Sequence, residues 1–271
     1  MHSKTPLHYE LESRASLEAH PRFASTLSNG LDVLKCFSAA EPQLGNKEIS
    51  EMLGLTRPTV SRLTFTLVGL GYLRRDERTG KYSLGPAVLT LGYPLLVHLT
   101  LRQLAAHDMV ELARYAKGPV SMAIRDRLQV VYVETVHDGA SNASRPDIGS
   151  ARPLLRTAIG RALLYAQTPQ ERELICGRLA EELPEEWERF GPSLQPAFDA
   201  IAEHGFCVVS KDWRAELCGI ATPMRFRSND LPLAFNVTIP ADQLDEKYLY
   251  ETLGPRLRTL VKNLEYRIGI M

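Results

Sequence analysis

Between Asn46 and Leu70 the sequence reads NKEISEMLGLTRPTVSRLTFTLVGL, and few folds accept such a run. Ile49 and Leu53 share one face of a short helix, with Asn46 as a candidate N-cap and Gly54 as its left-handed terminator. The turn Gly54-Leu55-Thr56 follows, and Thr56 can cap a second helix that tolerates Pro58 in its first turn. Val60, Leu63, Leu67 and Leu70 form the apolar stripe of that helix, and Gly71 ends it. Upstream, Leu27, Leu31, Leu34 and Phe37 recur at helical spacing, with Ser28 as a candidate cap. Downstream, strand-like runs 72–75 and 81–84 flank a polar turn ending in Gly80. Helix, short helix, tight turn, helix and hairpin together predict a winged helix-turn-helix.

That fold gives its charge pattern a purpose. The whole chain is balanced, with 32 basic and 32 acidic side chains, so there is no global attraction to nucleic acid. Residues 56–75 nevertheless hold Arg57, Arg62, Arg74 and Arg75 and no acid. Extended to Lys81, the segment adds Arg78 and Lys81 against only Asp76 and Glu77. The stripe leaves Pro58, Ser61, Arg62 and Phe65 on the outer helix face, which lies in the major groove in a helix-turn-helix. Arg57 and Arg62 suit guanine or phosphate, and Thr59 and Ser61 suit phosphate or base. Arg74, Arg75, Arg78 and Lys81 are placed to grip the backbone or enter a minor groove. Phe65 is the odd member. Packing on a neighbouring element is favoured over contact with a thymine methyl, because it sits in the third helical turn.

The remainder is different in kind. GPAVLTLGYPLLVHLTLRQL reads as a connecting helix that Pro94 should kink or divide. Beyond residue 101 come a helix, the strands VSMAIRD and LQVVYVETV, the helix TAIGRALLYAQ and two further helical segments. The strands GFCVV, LCGIATPM and PLAFNVTIP follow, then a terminal helix with a possible break at Gly254-Pro255. Strands interspersed with helices predict an α+β domain. A length of 271 residues suits two domains, and no apolar run approaches the roughly 18–20 residues that span a bilayer. The N-terminal 22 residues mix both charges without an apolar core, so they read as a disordered arm rather than a secretion signal. Cys36, Cys176, Cys207 and Cys218 have no metal or disulfide spacing and read as reduced thiols of a cytoplasmic protein.

Enzyme chemistry finds little support. The chain has no G-x-S-x-G elbow, no phosphate-cradling glycine loop and no H-E-x-x-H. A Cys207–His204 nucleophile pair is conceivable, but residues three apart across a helix end and a strand are poorly oriented for it. No His, Cys or acidic cluster has metal-ligand spacing, so neither metal nor cofactor is expected. A hydrolase-like or metal-responsive second domain is the alternative to a regulatory one.

The ordered blocks LSNGLDVLKCFSA, NKEISEMLGLTRPTVSRLTFTLVGLGYLRRDERTGKYSLGPAVLTLG, DIGSARPLLRTAIGRALL, HGFCVV and GIATPM resemble the IclR-type bacterial transcriptional regulators, from about residue 24 to about 268. The resemblance implies a DNA-binding domain over 23–85 after the arm 1–22, a linker helix over 86–100, and a GAF-like effector-binding domain over 101–271. It also implies double-stranded operator DNA, a small organic effector and a homodimer or dimer of dimers as partners, with no membrane. The family's T-A-x-G-K block appears as Thr157 to Arg161, which carries effector binding over to Gly160 and Arg161. A helix N-terminus there suits an anion. Other positions depart from the family: Val209 stands for a usual aspartate, Gly219 for a cysteine, Asn236 and Thr238 for serines, and Leu155 for a histidine. These substitutions predict an aromatic or acyl ligand whose polar or anionic end lies near Gly160, Asn236 and Thr238. The competing reading is that Asn236 and Thr238 only satisfy local backbone groups.

Overall fold

The computed structural model of the protein describes residues 12–137, 146–228, 231–243 and 245–269. The described chain divides between His98 and Leu99 into two compact units.

In the first unit, α1 spans Arg14–Glu18, α2 Ser25–Lys35, α3 Asn46–Leu53 and α4 Arg57–Gly69, followed by β1 Leu73–Arg75, β2 Tyr82–Leu84 and α5 Ala87–His98. Part of the expected disordered arm is therefore ordered. Ser13 caps α1, and Arg14 donates to Glu18 and to Asp32 of α2. Residues 1–11 of that arm lie outside the described residues.

Helix α2 begins earlier than expected, at Ser25 with Ala24 before it, so Ser28 is not its cap. Its buried face is also rotated: Val33 and Phe37 enter the core with Leu34 packed against it, while Leu27 and Leu31 are exposed. Both stripes have helical spacing, and only packing against α4 chooses between them. The cap of α3 is Gly45 rather than Asn46. Asn46 Oδ1, at 3.2 Å, instead shares the single hydroxyl proton of Thr64 Oγ1 with Val60 O at 3.0 Å in a bifurcated bond. Thr64 is completely buried. A hydroxyl is tolerated there because both bonds are made locally. Leu70, expected in the stripe, is exposed beyond the helix end. Gly54 terminates α3 at φ 65°, and Thr56 caps α4 through Thr59 N–H.

The hairpin pairs Leu73 with Leu84 and Arg75 with Tyr82. Asp76 accepts from the Arg78 and Thr79 N–H groups, which closes its turn. Pro94 does not divide α5, whose helix is continuous from Ala87 to His98. None of its residues is buried, and Leu89, Leu91, Tyr93, Leu95 and Val97 are exposed.

The second unit is built on one antiparallel sheet, in the order β5-β4-β3-β8-β7-β6 among the described residues. Its strands are β3 Val120–Asp126, β4 Gln129–Val136, β5 Ala151–Pro153, β6 Cys207–Ser210, β7 Leu217–Ser228 and β8 Leu231–Pro240. Side chains alternate between its faces. One face, with Val120, Met122, Phe235 and Ile220, is covered by α6 Leu101–Ala116 and a C-terminal helix. The other carries smaller residues, including Ala123, Ala221 and Ala234, which admit α7 Ala158–Tyr165 close to the strands. Outside α7 lie α8 Pro169–Glu182, α9 Pro184–Phe190 and α10 Leu194–His204, one segment more than the sequence suggested. The C-terminal helix starts as α11 Glu246–Tyr248, passes through a π turn at Leu249–Leu253 and continues as α12 Gly254–Arg267. It does not break at Gly254-Pro255, because the π turn absorbs the irregularity before Pro255. Among the described residues, no helix is long and apolar enough to cross a membrane.

Glu171 ties this outer layer to the sheet. Its carboxylate accepts from Thr168 N–H at the start of α8 and from both Nη atoms of Arg227 on β7. Desolvation raises its pKa, but the bonds from Arg227 and Thr168 prevail and hold it near about 2. A depressed folded value means that the bridge stabilises fully above the unfolded carboxylate range and is lost as pH falls towards 2. Glu171→Gln should therefore lower stability by about 1–2 kcal/mol at pH 7, allowing for solvent screening. In urea titrations across pH, the gap from the parent should shrink as pH falls from about 5 towards about 2.

Candidate functional sites

The outer face of α4 carries the first site. Arg57, Ser61, Arg62, Phe65 and Thr66 are all exposed, and Thr59 is half-buried with its hydroxyl 2.8 Å from that of Thr56. Arg57, Arg62, Arg74, Arg75 and Arg78 make no ion pair among the described residues. Free guanidinium groups are left beside the wing and the helix. Lys81 differs, because its Nζ lies 3.0 Å from Glu48 Oε1. Glu48 also accepts from Gly45 N–H at the start of α3. That backbone bond, with Lys81, holds the Glu48 carboxyl below its usual range. Of the eight side chains expected to face DNA, Lys81 is thus already engaged within the protein. Phe65 does not pack on a neighbouring element: it is 80% exposed.

The second site is a small pocket of about 50 Å³, open at its mouth, between the inner sheet face and the N-terminus of α7. Val209, Gly219, Asn236 and Thr238 line it, on three adjacent strands. Val209 pairs with Gly219 and Gly219 with Thr238, so these side positions share one face. Asn236 is 4% exposed, and its Nδ2 donates to Thr238 Oγ1 at 3.0 Å. Its Oδ1 is buried without a hydrogen-bond partner among the described residues. A buried amide oxygen of this kind calls for a donor from within the pocket.

Gly160 and Arg161 do not line the pocket. A Cβ on Gly160 would lie 2.1 Å from Leu154 O, and the Gly160 N–H already donates to the Thr157 cap. The glycine is required by close helix packing, not by a ligand. Arg161, 5% exposed, points inward, where Nε donates to Leu155 O at 2.9 Å and Nη2 pairs with Asp212. What faces the pocket is the start of the same helix, Thr157 and Ala158.

The loop after β6 supplies residues that the sequence reading missed. Lys211 and Trp213 line the pocket with Arg152, Arg156 and Tyr132. Arg156 donates to the carbonyls of Asp212 and Trp213, and its guanidinium lies 5.2 Å from the Trp213 ring centroid. Arg152 lies 5.7 Å from the same ring. Lys211 adopts φ 68°, an uncommon conformation for a side-chain-bearing residue. A lone tryptophan in a charged loop was the available signal. Burial, opposed by nearby Arg152, pushes the Tyr132 hydroxyl up to about 12, so it stays protonated at neutral pH. The pocket therefore offers aromatic walls, two arginines, a lysine, helix N–H groups and one unpaired amide oxygen.

The Cys207–His204 pair is not assembled. Burial raises Cys207 to about 12, and its thiol lies against Ala158 O rather than His204, whose ring meets Phe206 and Tyr250. No group of His, Cys or acidic residues able to hold a metal occurs among the described residues.

Comparison with known proteins agrees with this division. Residues 26–77 match the model of the IclR helix-turn-helix domain, and residues 94–266 match that of the bacterial transcriptional regulator IclR C-terminal region. The regulator TsaQ1/TsaQ2 of Comamonas testosteroni is 32% identical over 242 residues, covering 89% of this chain and 87% of its own. A crystal structure of an IclR family transcriptional regulator from Brucella abortus is 39% identical, with a TM-score of 0.84 over 98% of this chain and 99% of that one. A homologue from Microbacterium hydrocarbonoxydans, solved with 4-hydroxybenzoate, has the same fold at 19% identity, with a TM-score of 0.70 over 91% of this chain and 100% of that one.

The two glycines separate packing from lining. Gly160→Ala should destabilise the protein by about 1–3 kcal/mol, since backbone rather than a mobile side chain blocks the added carbon. Gly219→Ala meets only Ala158 Cβ at 3.3 Å and should cost less than about 1 kcal/mol. Thermal melts of the two variants check the order.

Proposed function

Because the chain belongs to the IclR family of bacterial transcriptional regulators, we propose that it binds a specific operator through α4 and its wing and that an organic anion in the pocket sets its affinity. The DNA contacts are Arg57, Thr59, Ser61 and Arg62 on the helix, with Arg74, Arg75 and Arg78 on the wing. Lys81 orients the wing through Glu48 rather than gripping phosphate. The observation that supports this assignment is the set of exposed arginines without ion pairs among the described residues, beside a helix, α4, that carries no acid.

The ligand reading rests on the buried Asn236 Oδ1, without a partner among the described residues, in a pocket also lined by three cations and the start of α7. An anionic group sits by Arg152, Arg156, Lys211 or the Thr157–Ala158 end, an aromatic body against Trp213 and Tyr132, and a hydroxyl or amide donor reaches Asn236. Hydroxylated aromatic acids combine these features, and the 4-hydroxybenzoate bound by the Microbacterium homologue is a suitable probe. Coupling of about 1–3 kcal/mol between pocket and operator would change DNA affinity roughly 5- to 150-fold.

The second copy required to span two half-sites has a surface available on α5. Leu89, Leu91, Tyr93, Leu95 and Val97 are exposed, and no charged side chain occurs between Ala87 and Val97. We assign this apolar helix to a homodimer contact.

Retention of upstream DNA over random DNA across a salt series tests the operator reading, with affinity expected to fall steeply as salt rises. Arg62→Ala should weaken specific binding by roughly 1–3 kcal/mol and relax preference at one base position. A complete lack of DNA affinity at low salt would sink the reading. For the ligand, calorimetry should show 4-hydroxybenzoate binding that Asn236→Leu weakens about tenfold, the worth of one hydrogen bond to a buried group. Tight binding of small, wholly polar acids alone would refute the aromatic assignment.

A further inference from the structure

The recognition helix does not present one kind of chemistry along its length. Its first two turns offer donors, with Arg57, Ser61 and Arg62 exposed on the outer face. The third turn is different. Thr66 spends its hydroxyl proton on Arg62 O at 3.0 Å, and Phe65 beside it is 80% exposed. Ser61, Arg62, Phe65 and Thr66 together line a shallow hollow on this face. An aromatic ring so exposed on a one-domain surface is costly to leave in water, and nothing in the first unit covers it.

We propose that Phe65 is a specificity-determining residue that reads a thymine through its C5-methyl group in the operator major groove. The proposal rests on the DNA-binding reading of α4 and adds an apolar contact to it. Reach is adequate: at 1.5 Å per residue, Phe65 lies about 12 Å along the helix axis from Arg57. The major groove admits a helix, and one lying along the groove keeps its outer face over successive base pairs, so both turns come to base edges. Charge complementarity selects DNA as the occupant. The hollow is bordered by Arg62, and the neighbouring exposed side chains of the helix include no acid. Within the major groove, the thymine methyl is the apolar group that distinguishes one base pair from the others.

Deoxyuridine differs from thymine only by that methyl, which makes the test specific. Full-length protein is used to enrich its preferred duplex from a random pool, and each thymine in that duplex is then replaced singly by deoxyuridine. The parent should lose affinity about 3- to 10-fold at one or two positions per half-site. Phe65→Ala should bind the original duplex with a similar loss and be indifferent to deoxyuridine at those positions. Phe65→Leu should keep part of the response. An undiminished response in Phe65→Ala, or no sensitive position in the parent, overturns the proposal. So does a change in oligomeric mass on substituting Phe65, which would assign the ring to a protein contact. Failure to enrich any sequence would overturn the DNA-binding reading of α4 itself, whereas enrichment without methyl sensitivity removes only the role of Phe65.

Discussion

Arg161 fastens three pieces of chain that otherwise have no reason to move together. Its buried guanidinium holds Leu155 O in the segment before α7 and the Asp212 carboxylate in the loop after β6. Arg156 adds bonds to the next carbonyls of that loop. Removing a guanidinium that is both buried and paired leaves an uncompensated carboxylate and an unsatisfied carbonyl, which is the expensive case for a buried ion pair. The wall that carries Lys211 and Trp213 is thereby held against the helix end that carries Thr157 and Ala158. The pocket is thus framed in part by Arg161, a side chain that does not line it.

The sequence made much of the first unit legible. The caps at Gly54 and Thr56, the hairpin and the exposed basic face all follow from local chemistry, which is why residue types alone suffice there. It misled where two local solutions were equally good. Leu27 and Leu31 belong to a helical stripe as regular as the one around Val33, and only the partner helix decides. Thr64 was invisible because a buried hydroxyl looks like a surface one until its acceptors on α3 and α4 are known.

At the pocket, four expected strand positions come together because β-sheet alternation fixes which residues share a face. Gly160 and Arg161 were assigned from family position, and the helix rotates them into the packing layer instead. Trp213, Lys211, Arg152 and Arg156 were missed because they arrive from separate loops and strand ends, and no spacing rule relates them. Local patterns reveal faces, whereas convergence of distant segments is a property of the assembled sheet.

The order of strands in that sheet has a consequence for the life of the molecule. The halves β5-β4-β3 and β8-β7-β6 join only through β3 and β8, whose paired residues Ser121 and Asn236 are far apart in the chain. The first unit, by contrast, is a compact unit that ends at His98. On a translating ribosome, the central seam cannot form until β8 has emerged, on the order of ten seconds after the helix-turn-helix is complete. During that interval the newborn chain has a complete helix-turn-helix domain but an unfinished ligand-binding domain. The sheet of the second unit is thus the last part of each molecule to close.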